Sequence, residues 1–178
     1  MYFNANQYFE TVARESVYLK HTDSDKHFGI ASGIMEAEDL CNSVLSRTDH
    51  QLIVIDNPSG RFLNNDSVCL LEQPTHAFLV LKHVAEPNNM ALRSVANQEC
   101  IAIGKKIFAR MRRDMFEAAQ RASKLDTIGL RHLDESSFRY FAVGLLADNF
   151  LGVEFSFSLV NNDNTVYDPD EWIPISES

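Results

Sequence analysis

Residues 90–122 carry the longest uninterrupted pattern in the chain. Leu92, Ala96, Cys100, Ile103, Ile107, Met111, Met115 and Ala118 recur at three- and four-residue steps, with polar residues between them. A stripe of that period predicts one α-helix about 50 Å long at 1.5 Å rise per residue. Gly104 interrupts the stripe. Glycine costs about 1 kcal/mol relative to alanine inside a helix, so a bend or a close packing contact is expected there.

The flanking segments read as strands and shorter helices. Leu52-Ile53-Val54-Ile55 is an unbroken β-branched run, expected to be a buried strand. Asp56-Asn57-Pro58-Ser59-Gly60 has turn chemistry and predicts a long polar hairpin loop over 56–66, which contains Arg61. Ser67 to Glu72 and Thr75 to Val84 read as two further strands, separated at Pro74. After a linker over 123–136, residues 138–147 and 150–160 read as two strands around an Asp148-Asn149 turn. In the last strand Val153, Phe155, Phe157 and Leu159 alternate with Gly152, Glu154, Ser156 and Ser158, which predicts one buried face and one wet face.

Two amphipathic helices precede the strands. One covers 4–20, with Ala5, Phe9, Val12, Ala13 and Val17 on its stripe. The other covers 33–47, with Ile34, Ala37, Cys41, Val44 and Leu45, and Ser32 as its N-cap. A short segment around Phe28-Gly29-Ile30 lies between them. The expected class is α+β: an antiparallel or mixed sheet with helices on one face, and one long helix before a C-terminal hairpin. With 178 residues the chain is read as one domain over 1–160 and an acidic extension over 161–178.

Composition excludes several function classes. Sixteen Lys and Arg against 25 Asp and Glu give a net charge of −9, the wrong sign for a dedicated nucleic-acid binder. Three cysteines without a close pair fit a reducing compartment and no disulfide scaffold. No basic-then-apolar leader or 20-residue apolar run is present, so the chain reads as soluble and made in a cytoplasm.

No motif of chemistry stands out. His21, His27, His50, His76, His83 and His132 form no metal-ligand spacing, and the His76 and His83 side chains are expected on opposite strand faces. Cys41, Cys69 and Cys100 read as buried small hydrophobes. Gly29-Ile30-Ala31-Ser32-Gly33 precedes a helix but lacks a P-loop ending. Asp163, Asn164, Asp168 and Asp170 lack calcium-loop spacing. No catalytic, cofactor-binding or metal-ligating residue is assigned.

The charge is unevenly placed. Lys105, Lys106, Arg110, Arg112, Arg113, Arg121 and Lys124 against Asp114 and Glu117 make residues 104–124 net +5. Asp163, Asp168, Asp170, Glu171 and Glu177, with no Lys or Arg, make residues 161–178 net −5, and Trp172 sits among them. Lys106, Arg110 and Arg113 are spaced to share one helix face. That face is either solvated or one half of a charged contact, with the acidic extension as a candidate partner in cis or in trans. The candidate interface set is Lys105, Lys106, Arg110, Arg113, Arg61, Asp168, Asp170 and Trp172.

The element order itself carries a resemblance. An N-terminal helix, the Leu52–Ile55 strand, a polar 56–66 hairpin region, the Phe78-Leu79-Val80-Leu81 strand, a long helix and a hairpin ending in Val153-Glu154-Phe155-Ser156-Phe157 resemble the tail-terminator and tail-completion proteins of tailed bacteriophages. His21-Thr22-Asp23, Phe78 to Leu81 and Asp148-Asn149 followed by Gly152-Val153 are also similar to small phage and prophage proteins of Bacteroidetes. The helix at 33–47 and the extension at 161–178 depart from the compact terminator pattern. The resemblance implies a structural virion protein with no active site, forming a ring at the neck or the head-proximal end of the tail. Its partners would be copies of itself and neighbouring neck and tail proteins. The alternative is an intracellular adaptor or ligand-binding domain.

Overall fold

The computed structural model describes residues 3–64, 70–120, 132–147 and 149–160. Within them the order is α1 (Ala5–Glu15), β1 (Phe28–Ala31), α2 (Ile34–Ser43), β2 (His50–Asn64), β3 (Leu70–His83), α3 (Met90–Gln120), β4 (Leu133–Leu146) and β5 (Phe150–Leu159). The strands form one mixed sheet in the order β1-β2-β3-β5-β4, with β1–β2 parallel and the other pairs antiparallel. The class is α+β, and the long helix precedes the closing β4–β5 hairpin.

Strand pleating sorts the core into two layers. Leu52, Val54, Phe78, Val80, Val153, Phe155, Phe157 and Leu159 point to one face, where Phe9 and Val12 of α1 and Cys100, Ile103, Ile107 and Met111 of α3 cover them. Ile53, Leu79, Leu81 and Phe150 point to the reverse face, where Ala37 and Cys41 of α2 cover them. The two longer helices therefore share a face, while α2 packs on the other. The reason lies in β1: Gly29 leaves the room that Leu40 fills, 3.0 Å from where a Cβ would stand.

Both shorter helices end earlier than their patterns suggest. In α1, Asn4 caps the start by accepting the Gln7 N–H at 3.1 Å, and the helix stops at Glu15; Val17 is 72% exposed and joins no core. In α2 the N-cap is Gly33, not Ser32. Ser32 instead donates its N–H and its hydroxyl to Glu36, each at 2.7 Å.

The expected 56–66 loop is largely strand. β2 continues to Asn64 and pairs with a single β3 that runs through Pro74. From Ile55 to Ser59 the chain takes four steps while β3 takes two, from Ala77 to Thr75, so the turn-like residues are absorbed in a bulge. Pro74 is tolerated because the β5 ladder ends at Thr75 and leaves that stretch of β3 paired on one side. Residues 59–64 and 70–74 thus form a two-stranded ribbon beyond the sheet. The predicted start of its second strand, with Cys69, lies outside the described residues. β4 likewise begins at Leu133, inside the expected linker.

The reverse face of β5 is drier than its alternation suggests. Gly152 and Ser158 are buried and Glu154 and Ser156 half-buried. β5 is an inner strand between β3 and β4, the Ser158 hydroxyl lies 3.1 Å from that of Thr75, and a Cβ on Gly152 would meet the Val80 carbonyl oxygen at 2.1 Å. Burial accordingly pushes the Glu154 carboxyl above the usual range.

Gly104 is a contact point. A Cβ there would stand 2.0 Å from the Phe155 ring tip, so the helix rests on the sheet at this residue. Replacing it with alanine gains about 1 kcal/mol of helix propensity but forces an overpacked ring, at about 1–3 kcal/mol. Gly104→Ala is expected to lower stability in urea unfolding; a gain would show that the helix stands off the sheet.

Candidate interaction surfaces

The basic run on α3 divides into two flanks. The first faces α1 across a cleft of about 230 Å³ lined by Glu15, Tyr18, Ile103, Lys106, Ile107 and Arg110. Lys106 Nζ sits 3.9 Å from the Tyr18 ring centroid and donates to its hydroxyl. Arg110 bridges Glu15 and Asp114, each at 2.8 Å, and Arg113 reaches Asp114 at 3.1 Å. Asp114 is buried and also accepts the Tyr8 hydroxyl at 3.0 Å. Burial, followed by the charge of Asp114, drives the Tyr8 hydroxyl far above its ordinary pKa, so it stays a donor.

Three of the candidate interface residues are therefore engaged in cis. Arg110 fastens α3 to Glu15 of α1, Lys106 reaches Tyr18 just beyond the end of α1, and Arg110 and Arg113 hold the Asp114 carboxylate inside the protein. The second flank faces β4. Arg112 pairs with Glu135 at 2.8 Å, and Phe108 stacks on Phe138 with ring centroids 4.0 Å apart. Lys105 lies on this flank, three residues before Phe108 and seven before Arg112. It is exposed, and among the described residues it makes none of these pairs. Asp168, Asp170 and Trp172 lie outside the described residues, as does Asp148 of the expected turn.

Arg61 sits on the ribbon. Its Nε donates to the Gln73 side-chain oxygen at 2.6 Å, and the buried Gln73 amide donates to Asp134 at 2.8 Å. The Ser136 hydroxyl holds the Asp134 carboxyl below the usual range, against the effect of burial. This chain ties the ribbon base to the start of β4. A cavity of about 380 Å³ lies at the same base, lined by Ala5, Asp56, Phe62, Glu72, Pro74 and His76 among others.

Two apolar patches lie at the sheet's opposite edges. On β4, Tyr140 (49%), Phe141 (53%) and Leu145 (47%) are exposed. Tyr140 and Leu145 stand opposite Phe155 and Leu151 and so face the α3 side; Phe141 stands opposite Glu154 and faces the reverse side. At the other edge, Ile30 on β1 and Ile34 and Met35 at the start of α2 are exposed, Met35 at 83%. Residues 138–147 are apolar at most positions, and their place at the edge is a property of the strand order.

Several other chemistry-bearing groups pack or pair within the fold. Burial pushes the Cys41 and Cys100 thiols up to about 12, so both are protonated at neutral pH and are poor nucleophiles. His76 packs on Phe157 on the α3 side and His83 on Phe150 on the reverse side, opposite faces as expected. His50 and Lys82 both contact Glu99 of α3. Among the described residues no group of His, Cys, Asp and Glu is placed to hold a metal, and no helix is long and apolar enough to cross a membrane. No family model matches the chain, and no curated protein and no solved structure matches it.

Two outcomes follow. Asp114→Ala strips the Tyr8 hydroxyl and Arg110 of a buried partner and should cost about 1–3 kcal/mol in urea unfolding, whereas Lys105→Ala should stay within about 0.5 kcal/mol. Equal costs would contradict the division of the two flanks. Burial also lowers the pKa of His76, with Asp56 pulling the other way, and lowers that of His50, with Lys82 adding to it. A histidine with a depressed folded pKa lets the unfolded chain bind more protons below about pH 6.5, so stability falls as pH drops through that value. His76→Phe should flatten the fall in unfolding free energy between pH 7 and 5. An unchanged slope would place the proton uptake elsewhere.

Proposed function

We propose that the chain is a structural component of a tailed-phage virion, forming a ring at the neck or the head-proximal end of the tail and working by assembly, not by catalysis. The observation that carries this reading is the pair of unlike apolar surfaces at opposite edges of one sheet, one centred on Phe141 of β4 and the other on Ile34 and Met35 beside β1. A closed ring needs two different complementary surfaces per subunit, related by a rotation that closes. The outer strands of a five-stranded sheet lie about 19 Å apart, so the two surfaces do not overlap. The ribbon formed by residues 59–64 and 70–74 runs past the end of the β5 ladder, is tied at its base to Asp134 through Gln73, and offers its exposed Phe62 to a neighbouring copy or a neighbouring neck or tail protein. The net charge of −9 would let DNA pass a ring lumen without sticking.

Edge strands with exposed apolar side chains are association sites unless something covers them. β4 carries register shifts between Asp134 and Arg139 and between Val143 and Leu145, which interrupt ladder extension. Its contact with a neighbour is therefore read as side-chain packing centred on Phe141. Reversal of Arg110 and Arg113 is a poor test of assembly, since both hold the buried Asp114.

A mixing experiment tests the head-to-tail arrangement. Phe141→Glu and Met35→Glu each remove one patch and should each stop assembly. Mixed in equal amounts they should form a heterodimer by light scattering, because each retains the patch the other lacks. A mixture that stays monomeric while the unmodified chain assembles would contradict the reading.

The 380 Å³ cavity at the ribbon base favours a second reading, an adaptor or ligand-binding domain, since its volume falls in the range of small-molecule sites. A compound that raises the melting temperature in proportion to its concentration, and loses the effect in Phe62→Ala, would support it.

A further inference from the structure

We propose that the acidic extension, residues 161–178, docks in cis on the shoulder where α3 passes over β4, with Trp172 against Tyr140 and Leu145 and its carboxylates at Lys105. The shoulder is built from contacts already described. Gly104 rests on Phe155, Phe155 stands opposite Tyr140 with ring centroids 5.9 Å apart, and Phe108 stacks on Phe138. Lys105 therefore lies beside the level of Tyr140, on the flank that Phe108 and Arg112 turn toward β4. Among the described residues the neighbouring cations Lys106, Arg110, Arg112 and Arg113 have partners and Lys105 has none of these, which makes it the cation of this stretch offered to an incoming acid. The apolar floor, Tyr140 and Leu145, is about half exposed and lies on the α3 side of the strand.

Chain geometry and charge name the occupant. β5 ends beside the start of β4: Leu159 pairs with Leu133, and the Val160 N–H donates to the His132 carbonyl at 2.8 Å. The extension thus begins at one end of the β4 edge. From the level of Leu159 to that of Leu151, which stands opposite Leu145, is about 27 Å along the sheet. Trp172 lies thirteen residues beyond Leu159 and can span up to about 45 Å. The segment supplies what the shoulder lacks, five acidic residues with no Lys or Arg, and Trp172-Ile173 as an apolar pair. Docked there, it covers Tyr140 and Leu145 and leaves Phe141, on the reverse side, to a neighbour. The inference stands whether or not the chain forms a ring.

Trp172 is the one tryptophan of the chain, so its fluorescence reads the docking directly. In the full-length protein its emission should be blue-shifted from that of a solvated indole and shielded from acrylamide, equally at all protein concentrations. Lys105→Glu and Leu145→Ser change exposed side chains and should leave the urea midpoint near that of the unmodified chain. Each should abolish the blue shift and the shielding, and salt near 1 M, where charges are screened within about 3 Å, should weaken both in the unmodified protein. A solvent-like emission in the unmodified chain would overturn the proposal. So would a blue shift that both substitutions leave intact, or one that appears only as protein concentration rises, which would place the extension on a second copy.

Discussion

At Gly104 α3 comes so near the sheet that a Cβ there would stand 2.0 Å from the Phe155 ring, and much of the arrangement depends on this contact. With no side chain at that position, the helix settles onto the Phe155 ring on an inner strand. The register follows from there. Cys100, Ile103, Ile107 and Met111 reach the core on either side of the contact. One flank of the helix then lies along α1 and the other along β4. A larger residue at position 104 would lift the helix and loosen both flanks together.

Electrostatics finishes what packing begins. The five basic residues from Lys105 to Arg113 on α3 invite a search for an acidic partner molecule, yet much of this charge is satisfied within the chain. Arg110 and Arg113 neutralise an aspartate that burial would otherwise make costly, and Arg110 reaches Glu15 on α1 as well. Lys106 lies over an aromatic ring. Arg112 joins the helix to β4. Once these are subtracted, the surface that can act on other molecules is smaller and more apolar than the composition suggests. Among the described residues it includes the two sheet edges, the ribbon and Lys105.

How far the sequence was readable depended on the range of the interactions. The long helix and the buried face of β5 were legible, because a repeat over many residues dominates local noise and Val153, Phe155, Phe157 and Leu159 all went inside. The bulge at Asp56-Asn57-Pro58 was not, since turn residues spell a loop unless a distant strand pairs across them. The face chosen by α2 was hidden for a similar reason: its stripe is apolar, but its side of the sheet follows from the parallel pairing of β1 with β2, which α2 connects, and from the room Gly29 leaves for Leu40. Among the candidate site residues, helical spacing correctly grouped Lys106, Arg110 and Arg113. Asp114 beside them is a local partner, but Glu15, which Arg110 reaches, and Tyr18, which Lys106 reaches, lie about 90 positions away in the chain and leave no local signal. The exposure of Tyr140, Phe141 and Leu145 was invisible in the same way, because an apolar strand at an edge and one at the centre have the same sequence.

We propose that the chain associates edge to edge with copies of itself until a rotation closes. Light scattering of the unmodified, full-length protein over a wide concentration range tests it most directly. The account predicts a rise from monomer mass to a single plateau of several copies that grows no further, as a closed ring requires. A mass fixed at the monomer at every concentration, or one that climbs without a plateau, would contradict it.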